Sequence, residues 1–145
     1  KKNYDEYLNK KNLEILLTEA KDLFKENYQE FKLMHMIINN YILNEKSYNE
    51  FIDKLHVNKV CLELNFISIP INLSNEIEKI LEKFQIRIIK YIDYKYINKI
   101  FEESEIQLPE MANRIQNHFN KNEVILIPKN LKKVGFFEKF FQLFS

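Results

Sequence analysis

The chain of 145 residues is 46% hydrophobic and contains 12 Phe and 8 Tyr, which excludes wholesale disorder and fits one compact domain. Its 22 basic and 21 acidic residues leave a net charge of +1, which argues against a general polyanion-binding protein and disfavours nucleic acid as a partner. The lone Cys61 excludes an intrachain disulfide, and we expect an inert buried thiol in a reducing, cytoplasmic compartment.

The first third of the chain changes from helical to strand periodicity. Apolar residues spaced by three and four over 13–28 predict an amphipathic helix with Asn12 as its cap. The apolar run 31–38 then predicts a buried strand. Residues 39–40 are expected to form a turn that leads into a second short strand, 41–43.

A strand, a helix and a second strand form the best-defined unit of the sequence. Apolar spacing over 48–55 first predicts a short helix, and alternating apolar residues over 60–66 then predict a strand that Pro70 ends. Ser74 is expected to cap the following helix. The inner stripe of that helix is predicted to comprise Ile77, Ile80, Leu81 and Phe84. Residues 86–92 return to strand character.

The last third of the domain predicts two helices and a strand. Residues 94–101 predict a short helix, and 102–107 predict a polar connector. A further helix is expected over 109–119, because a proline stands in its first turn. Residues 123–127 predict a last strand, which Pro128 ends.

No pattern of residues predicts a catalytic, cofactor or metal site. A phosphate-binding loop usually needs several glycines, and the chain has one, Gly135. The three histidines lie far apart and lack neighbours at metal-ligand spacing, so we expect His35 to be a core imidazole with satisfied hydrogen bonds. The acidic run 102–105 is expected to be a solvated part of its connector. Enzyme activity is therefore not expected unless a partner supplies the missing groups.

Residues 129–145 carry the functional prediction. Residues 129–135 are basic and contain the only Gly, which predicts a hinge, and 136–144 predict a helix with Phe along one stripe. Such a helix spans about 14 Å, too short to cross a bilayer of about 30 Å, but it fits the interface of an anionic membrane. The same stripe also fits docking on the domain's own sheet. The residues predicted to bind a membrane or a partner are Lys129, Lys132, Lys133, Phe136, Phe137, Phe140, Phe141 and Phe144.

Three stretches of the sequence follow the pattern of a known family. They are Asn12–Phe24 with Met34–Ile37 and Tyr41–Asn44, then 54–92, and then Leu108–Ala112 with Val124–Pro128 and Gly135–Phe141. Together they resemble the FtsA family, the actin-like bacterial division proteins that tether the FtsZ ring to the membrane. The resemblance implies that family's inserted subdomain, its membrane-targeting helix, and an FtsZ-like or other division protein as the partner. The glycine-rich ATP-binding half has no counterpart here, so the resemblance implies a reduced relative that does not bind ATP in the family's manner.

The sequence therefore predicts a mixed α/β (α+β) fold. We expect one domain over 1–128, with a small mixed sheet, a strand–helix–strand unit and packed helices, followed by a basic hinge and an amphipathic helix over 129–145. The leading functional hypothesis is a non-enzymatic, cofactor-free adaptor in bacterial cell division. It would bind a protein partner and tether it to the cytoplasmic face of the inner membrane. The alternative is a structural subunit of a large organellar or ribosome-associated assembly, with the Phe-rich tail buried against a neighbour.

Overall fold

The computed structural model describes residues 2–102 and 105–124. The elements of these residues are β1 (Lys2–Tyr7), α1 (Lys10–Asn27), β2 (Phe31–Leu43), β3 (Lys46–Tyr48), β4 (His56–Pro70), α2 (Ile71–Glu82), α3 (Tyr94–Ile100) and α4 (Leu108–Gln116). The mixed α+β fold class predicted from the sequence is confirmed. The predicted hinge and terminal helix over 129–145 lie outside the described residues.

The strands form one antiparallel sheet in the order β1-β4-β2-β3. Its centre is the pair β2 and β4, which run side by side from the Phe31–Pro70 pair to the Leu43–Val60 pair. The sequence predicts a small mixed sheet and a strand over residues 86–92. That strand is wrong, since residues 86–93 belong to no strand or helix. Every strand pair in the described part of the chain is therefore antiparallel.

A β-bulge brings residues from both halves of β2 into one core. The turn predicted at residues 39–40 is wrong, since β2 continues through it as one strand of 13 residues. Its register against β4 shifts at Asn39, which is an extra, bulged residue. The bulge inverts the alternation of side chains, so residues on both sides of it enter the same core. These buried residues are Met36, Ile38, Tyr41 and Leu43.

The chain reverses after the bulge, at Asn44 and Glu45. Their φ angles of 49° and 70° place both in the left-handed region, where Asn is one of the residues that fit most easily. Two such residues in succession suit the twist of an antiparallel hairpin, and here they join β2 to β3. The short helix predicted over 48–55 is wrong, because β3 takes its first residue and 49–55 are irregular.

α1 packs on one face of the sheet and builds the larger core. The predicted helix is confirmed, but its cap is Asn9 rather than Asn12. The Asn9 side chain accepts from the N–H of Asn12 at 3.0 Å, and the Asn12 side chain accepts from the N–H of Asn9 at 2.9 Å. The predicted strand 60–66 is confirmed within β4. Its residues in or against this core are Val60, Leu62, Leu64 and Phe66.

α3 and α4 cover the opposite face. Ile37 lies between two residues of the first core and therefore points to the other side of the sheet. There it packs with Tyr96 and Ile97 of α3 and with Ile115 of α4. The helices predicted over 94–101 and 109–119 are confirmed in these two elements. The sheet therefore has helices on both faces.

α2 follows β4 without a loop. Pro70 ends the strand, as the sequence predicts, and Ile71 is already the first helical residue. Ser74, predicted as the cap, lies inside the helix, where its hydroxyl donates to the carbonyl of Ile71 at 2.9 Å. α2 therefore begins about one turn earlier than the sequence pattern predicts.

Candidate functional site

The residues predicted to bind a membrane or a partner, Lys129, Lys132, Lys133, Phe136, Phe137, Phe140, Phe141 and Phe144, all lie outside the described residues. Two other features bear on function. One is a buried polar network centred on Glu123, and the other is an exposed apolar face of α2.

The network begins with a buried pair that joins β2 to the end of the described chain. Nδ1 of His35 lies 2.8 Å from Oε1 of Glu123, and the two side chains are 0% and 4% exposed. Glu123 reaches this position because its backbone pairs with Ile37 of β2. The strand of the core thus places an imidazole directly against a carboxylate from a distant part of the sequence.

Further groups bind the carboxylate of Glu123. The Tyr96 hydroxyl donates to Oε2 at 2.8 Å, and Nζ of Lys90 lies 3.4 Å from Oε1. Burial alone would raise the pKa of Glu123, but the hydrogen bond from His35 and the charge of Lys90 outweigh it and hold that pKa below its ordinary value. Burial and the adjoining carboxylate raise the pKa of Tyr96 far above its ordinary value. The network therefore keeps an ionised carboxylate inside the domain.

The second ring nitrogen of His35 is also occupied. The N–H of Asp93 donates to Nε2 at 3.1 Å, so we assign the ring proton to Nδ1, which donates to Glu123. Asp93 is held in place because its side chain caps α3, accepting from the N–H of Tyr96 at 2.7 Å. His35 thus has no free nitrogen to act as a base, and the network fastens three segments of the chain together. The satisfied core imidazole predicted for His35 is confirmed.

Among the described residues, Cys61, Glu102 and Glu105 lie outside the hydrogen bonds of the Glu123 network. Within 2–102 and 105–124, no three His, Cys, Asp or Glu side chains are grouped so as to hold a metal ion. Cys61 is half-buried, and its thiol lies 3.9 Å from the carbonyl of Leu62. Glu102 and Glu105 of the acidic run are exposed, as predicted.

The second feature is an apolar stripe on α2 that the described elements leave largely uncovered. We call the set of Leu73, Ile77 and Ile80, which lie on one side of α2, and Phe84, which lies in the turn after it, the α2 apolar face. Leu73, Ile80 and Phe84 are 47%, 55% and 70% exposed. The sequence places Ile80 and Phe84 in an inner stripe with Ile77 and Leu81. That prediction is wrong for Ile80 and Phe84, while Ile77 and Leu81 are half-buried.

Polar contacts on the neighbouring side of α2 explain this orientation. Glu78 accepts hydrogen bonds from Lys32 of β2 at 2.8 Å and from the Tyr91 hydroxyl at 3.0 Å. The Tyr91 hydroxyl also donates to the carbonyl oxygen of Ser74 at 3.1 Å. Ser74 is fully buried. The hydrogen bonds from Lys32 and Tyr91 lower the pKa of Glu78. These contacts turn the side of α2 that carries Ser74 and Glu78 toward the sheet, so the adjacent apolar stripe stays open to solvent.

Apolar side chains that follow α2 add to the exposed surface. Ile86 and Ile89 are 52% and 86% exposed. Charged side chains of both signs flank the stripe on the exposed part of the helix; they are Glu76, Lys79, Glu82 and Lys83. Soluble monomers rarely expose neighbouring large apolar side chains without an interaction to match, so this surface is a candidate docking site.

Sequence reasoning missed both features. Two residues that contact His35 are far from it in the sequence: Tyr96 lies 61 positions and Glu123 lies 88 positions further along the chain. No local pattern reveals contacts over such a separation. One signal was present, since Glu123 opens an apolar run in which an acidic residue needs a partner if it is buried. The apolar stripe of α2 could be recognised in the sequence, but whether it faces the core or solvent depends on tertiary contacts.

Comparison of the chain with protein-family models, with curated proteins and with solved structures finds no match. The resemblance to the FtsA family therefore stays a prediction. Among residues 2–102 and 105–124, no helix combines the length and the apolar composition needed to cross a bilayer.

Proposed function

We propose that the chain is a non-enzymatic adaptor that binds a protein partner through the α2 apolar face. The observation that supports this proposal is the exposure of Ile80 on α2, at 55%, and of Phe84 in the turn after it, at 70%, while the other side of the helix contacts the sheet. A helix that is fixed in the fold and turns apolar side chains outward is preorganised for docking, so binding costs little further ordering.

The chemistry of the partner follows from the shape and charge of this surface. α2 has 12 residues and is therefore about 18 Å long, a straight ridge that suits the apolar face of an amphipathic helix. Both acidic and basic residues flank this ridge. The complementary surface of the partner is therefore expected to carry charges of both signs. The proposed partner is a protein that presents such a helix.

The energy of such a contact can be bounded. Full burial of Ile80 and of Phe84 contributes about 1.5–3 kcal/mol each, whereas micromolar affinity needs about 8 kcal/mol net. The half-exposed Leu73 and Ile86 and a polar rim have to supply the remainder. The α2 apolar face is therefore suited to a reversible complex.

Residues 129–144 form the second half of the proposal. Lys129, Lys132 and Lys133 would lie over anionic headgroups while the Phe stripe of 136–144 enters the interface, which would hold the bound partner at a membrane. A place in bacterial cell division and an FtsZ-like partner depend on the resemblance alone and stay predictions.

A site-specific cross-link tests the proposal. In cells that produce the full chain, a photo-crosslinking amino acid replaces Phe84, and the captured peptide is identified by mass spectrometry. We expect capture of one protein through an amphipathic helical segment, and loss of that capture in Ile80→Glu. The matched control is Leu23→Glu, at an apolar residue of α1 that is 58% exposed, and it should leave the capture unchanged.

Two outcomes would overturn the proposal. Capture of residues 136–144 of the same chain would show that the α2 apolar face receives the terminal helix. Capture that is equal in Ile80→Glu and Leu23→Glu would show that the cross-link does not report a contact with this face.

A further inference from the structure

The α2 apolar face has the spacing of a helix that packs lengthwise against another helix. Its four members, in chain order, are separated by four, three and four positions, and the last of them, Phe84, lies in the turn after α2. Alternating steps of three and four residues are the spacing at which two helices bury apolar side chains along their length. The hydrogen bonds that Glu78 accepts lie on another side of α2. A second helix can therefore lie along the α2 apolar face without breaking them.

Two charged residues of opposite sign border this face on its solvent side. Glu76 directly precedes Ile77, and Lys83 directly precedes Phe84; both charged side chains are exposed. Lys83 is the C-cap of α2 and keeps a right-handed helical conformation, with φ −59° and ψ −25°. Because seven positions make about two helical turns, Glu76 and Lys83 lie on the same side of the helix, about 10 Å apart along its axis. The border therefore carries one acidic group and, two turns later, one basic group.

The α2 apolar face is complementary to itself when two copies of α2 run antiparallel. If Ile77 of one copy packs on Ile80 of the second copy, the two-fold relation repeats the contact as Ile80 on Ile77. The same register brings Leu73 opposite Phe84 at each end of the contact. Every apolar side chain of the face then has an apolar neighbour in the second copy.

The same register also pairs the charges. It places Glu76 of each copy beside Lys83 of the other, which gives two reciprocal ion pairs on the solvent side of the helices. A parallel pair of helices would instead place Glu76 against Leu81 of the second copy, where no ion pair can form. Charge complementarity therefore favours the antiparallel arrangement, and with it a second copy of α2 as the occupant.

We propose that the partner bound at the α2 apolar face is a second copy of this chain, held by an antiparallel pair of α2 helices about a two-fold axis. The inference rests on the proposed function, the binding of a protein through this face, and names that protein. Two helices of 12 residues span only about 18 Å, so their contact is smaller than the roughly 1,200–2,000 Å² of a stable interface. The dimer is therefore reversible and depends on protein concentration.

Sedimentation velocity of the full chain tests whether the face self-associates. Over about a hundredfold range of protein concentration, the sedimentation coefficient should rise from that of a monomer toward that of a dimer. Ile80→Glu should raise the Kd at least about 100-fold, because it forces two carboxylates into the apolar contact. The control Leu23→Glu, at an exposed apolar residue of α1, should leave the Kd unchanged. Circular dichroism confirms that each variant is folded.

Exchange of the bordering charges tests the antiparallel register. Glu76→Lys and Lys83→Glu each place two pairs of like charges across the contact, so each should raise the Kd about tenfold. The double variant restores both ion pairs with the signs reversed and should recover the original Kd. An equimolar mixture of the two single variants should form heterodimers more tightly than either variant forms homodimers. The control Glu82→Lys makes the same charge change further round the helix and should leave the Kd within about twofold.

Three outcomes would overturn the inference. A chain that stays monomeric at every concentration has no self-association to explain. A dimer that survives Ile80→Glu is held by another surface, and a double charge variant as weak as the single variants rejects the antiparallel register. The proposed function fails separately: a monomeric chain whose cross-linker at Phe84 still captures another protein rejects only the second copy, whereas a cross-linker that captures nothing rejects both.

Discussion

Nδ1 of His35 lies 2.8 Å from Oε1 of Glu123, although 88 positions separate the two residues in the sequence. Both side chains are buried, and the pair joins the centre of the sheet to the last described residues of the chain. The buried carboxylate of Glu123 is tolerated because His35, Tyr96 and Lys90 contact it with hydrogen bonds or charge. These contacts also fix residues 120–124 against the core.

The first prediction concerns removal of this carboxylate. Glu123→Ala should lower the free energy of unfolding by about 3–5 kcal/mol, because it leaves the buried His35 and Tyr96 groups without their acceptor. The measurement is urea unfolding followed by circular dichroism. The control Glu110→Ala, at an exposed residue that pairs with Arg114, should change the free energy by less than about 0.5 kcal/mol. Equal effects of the two changes would contradict a compensating role for Glu123.

The second prediction concerns pH. The pKa of Glu123 is held below its ordinary value by His35 and Lys90 against the opposing effect of burial. The folded state therefore binds the proton less readily than the unfolded state does. The stability that Glu123 contributes is complete above the unfolded pKa and is lost as the pH falls through the folded pKa. The gap in urea midpoint between the parent and Glu123→Gln should narrow from about pH 6 to about pH 3. A gap that is independent of pH would contradict this assignment.

Much of the fold was predictable where the determinants are local. Alternation over 60–66 identified β4, and the apolar spacing after Asn12 identified α1. The bulge at Asn39 was not predictable, because it exists only in register with β4. Residues 86–92 have the apolar composition of a strand, yet they lie outside the sheet, where the side chains of Tyr91 and Lys90 contact Glu78 and Glu123.

The third prediction concerns Tyr41, which is fully buried at the centre of the larger core. Its hydroxyl has no hydrogen-bond partner among the described residues, and burial, together with the charge of Glu50, raises its pKa far above the ordinary value. Tyr41→Phe should leave the free energy of unfolding unchanged or raise it by up to about 1 kcal/mol, because an uncompensated polar group is removed. The matched change Tyr96→Phe should lower it by about 1–3 kcal/mol, since that hydroxyl binds Glu123 and Asn120. A loss at Tyr41→Phe as large as that at Tyr96→Phe would contradict the difference between the two sites.

The fourth prediction compares an aliphatic residue of the predicted strand 60–66 with one of the predicted inner stripe of the following helix. Leu64 packs against the larger core, whereas Ile80 is 55% exposed on the α2 apolar face. Leu64→Ala should lower the free energy of unfolding by about 2 kcal/mol, and Ile80→Ala should change it by less than about 0.5 kcal/mol. Urea unfolding of the two variants measures both values. A loss at Ile80→Ala close to that at Leu64→Ala would show that α2 packs inward and would remove the basis of the proposed docking surface.

The last prediction concerns the segment on which the membrane half of the proposed function depends. If the Phe stripe of 136–144 enters a lipid interface, Phe137→Glu with Phe141→Glu should abolish flotation with phosphatidylglycerol vesicles and leave the melting temperature nearly unchanged. The control Lys139→Glu changes the net charge by the same amount on the polar side of that stripe, and it should retain most of the binding.

Binding of the unaltered chain should weaken as salt rises, because exposed charges are screened over about 8–10 Å near physiological ionic strength. Docking of the stripe on the domain itself predicts the reverse, since two carboxylates would be forced into an apolar contact. A melting temperature that falls by many degrees in the double variant, with no flotation of the unaltered chain, would therefore assign these rings to the core and reject the tether.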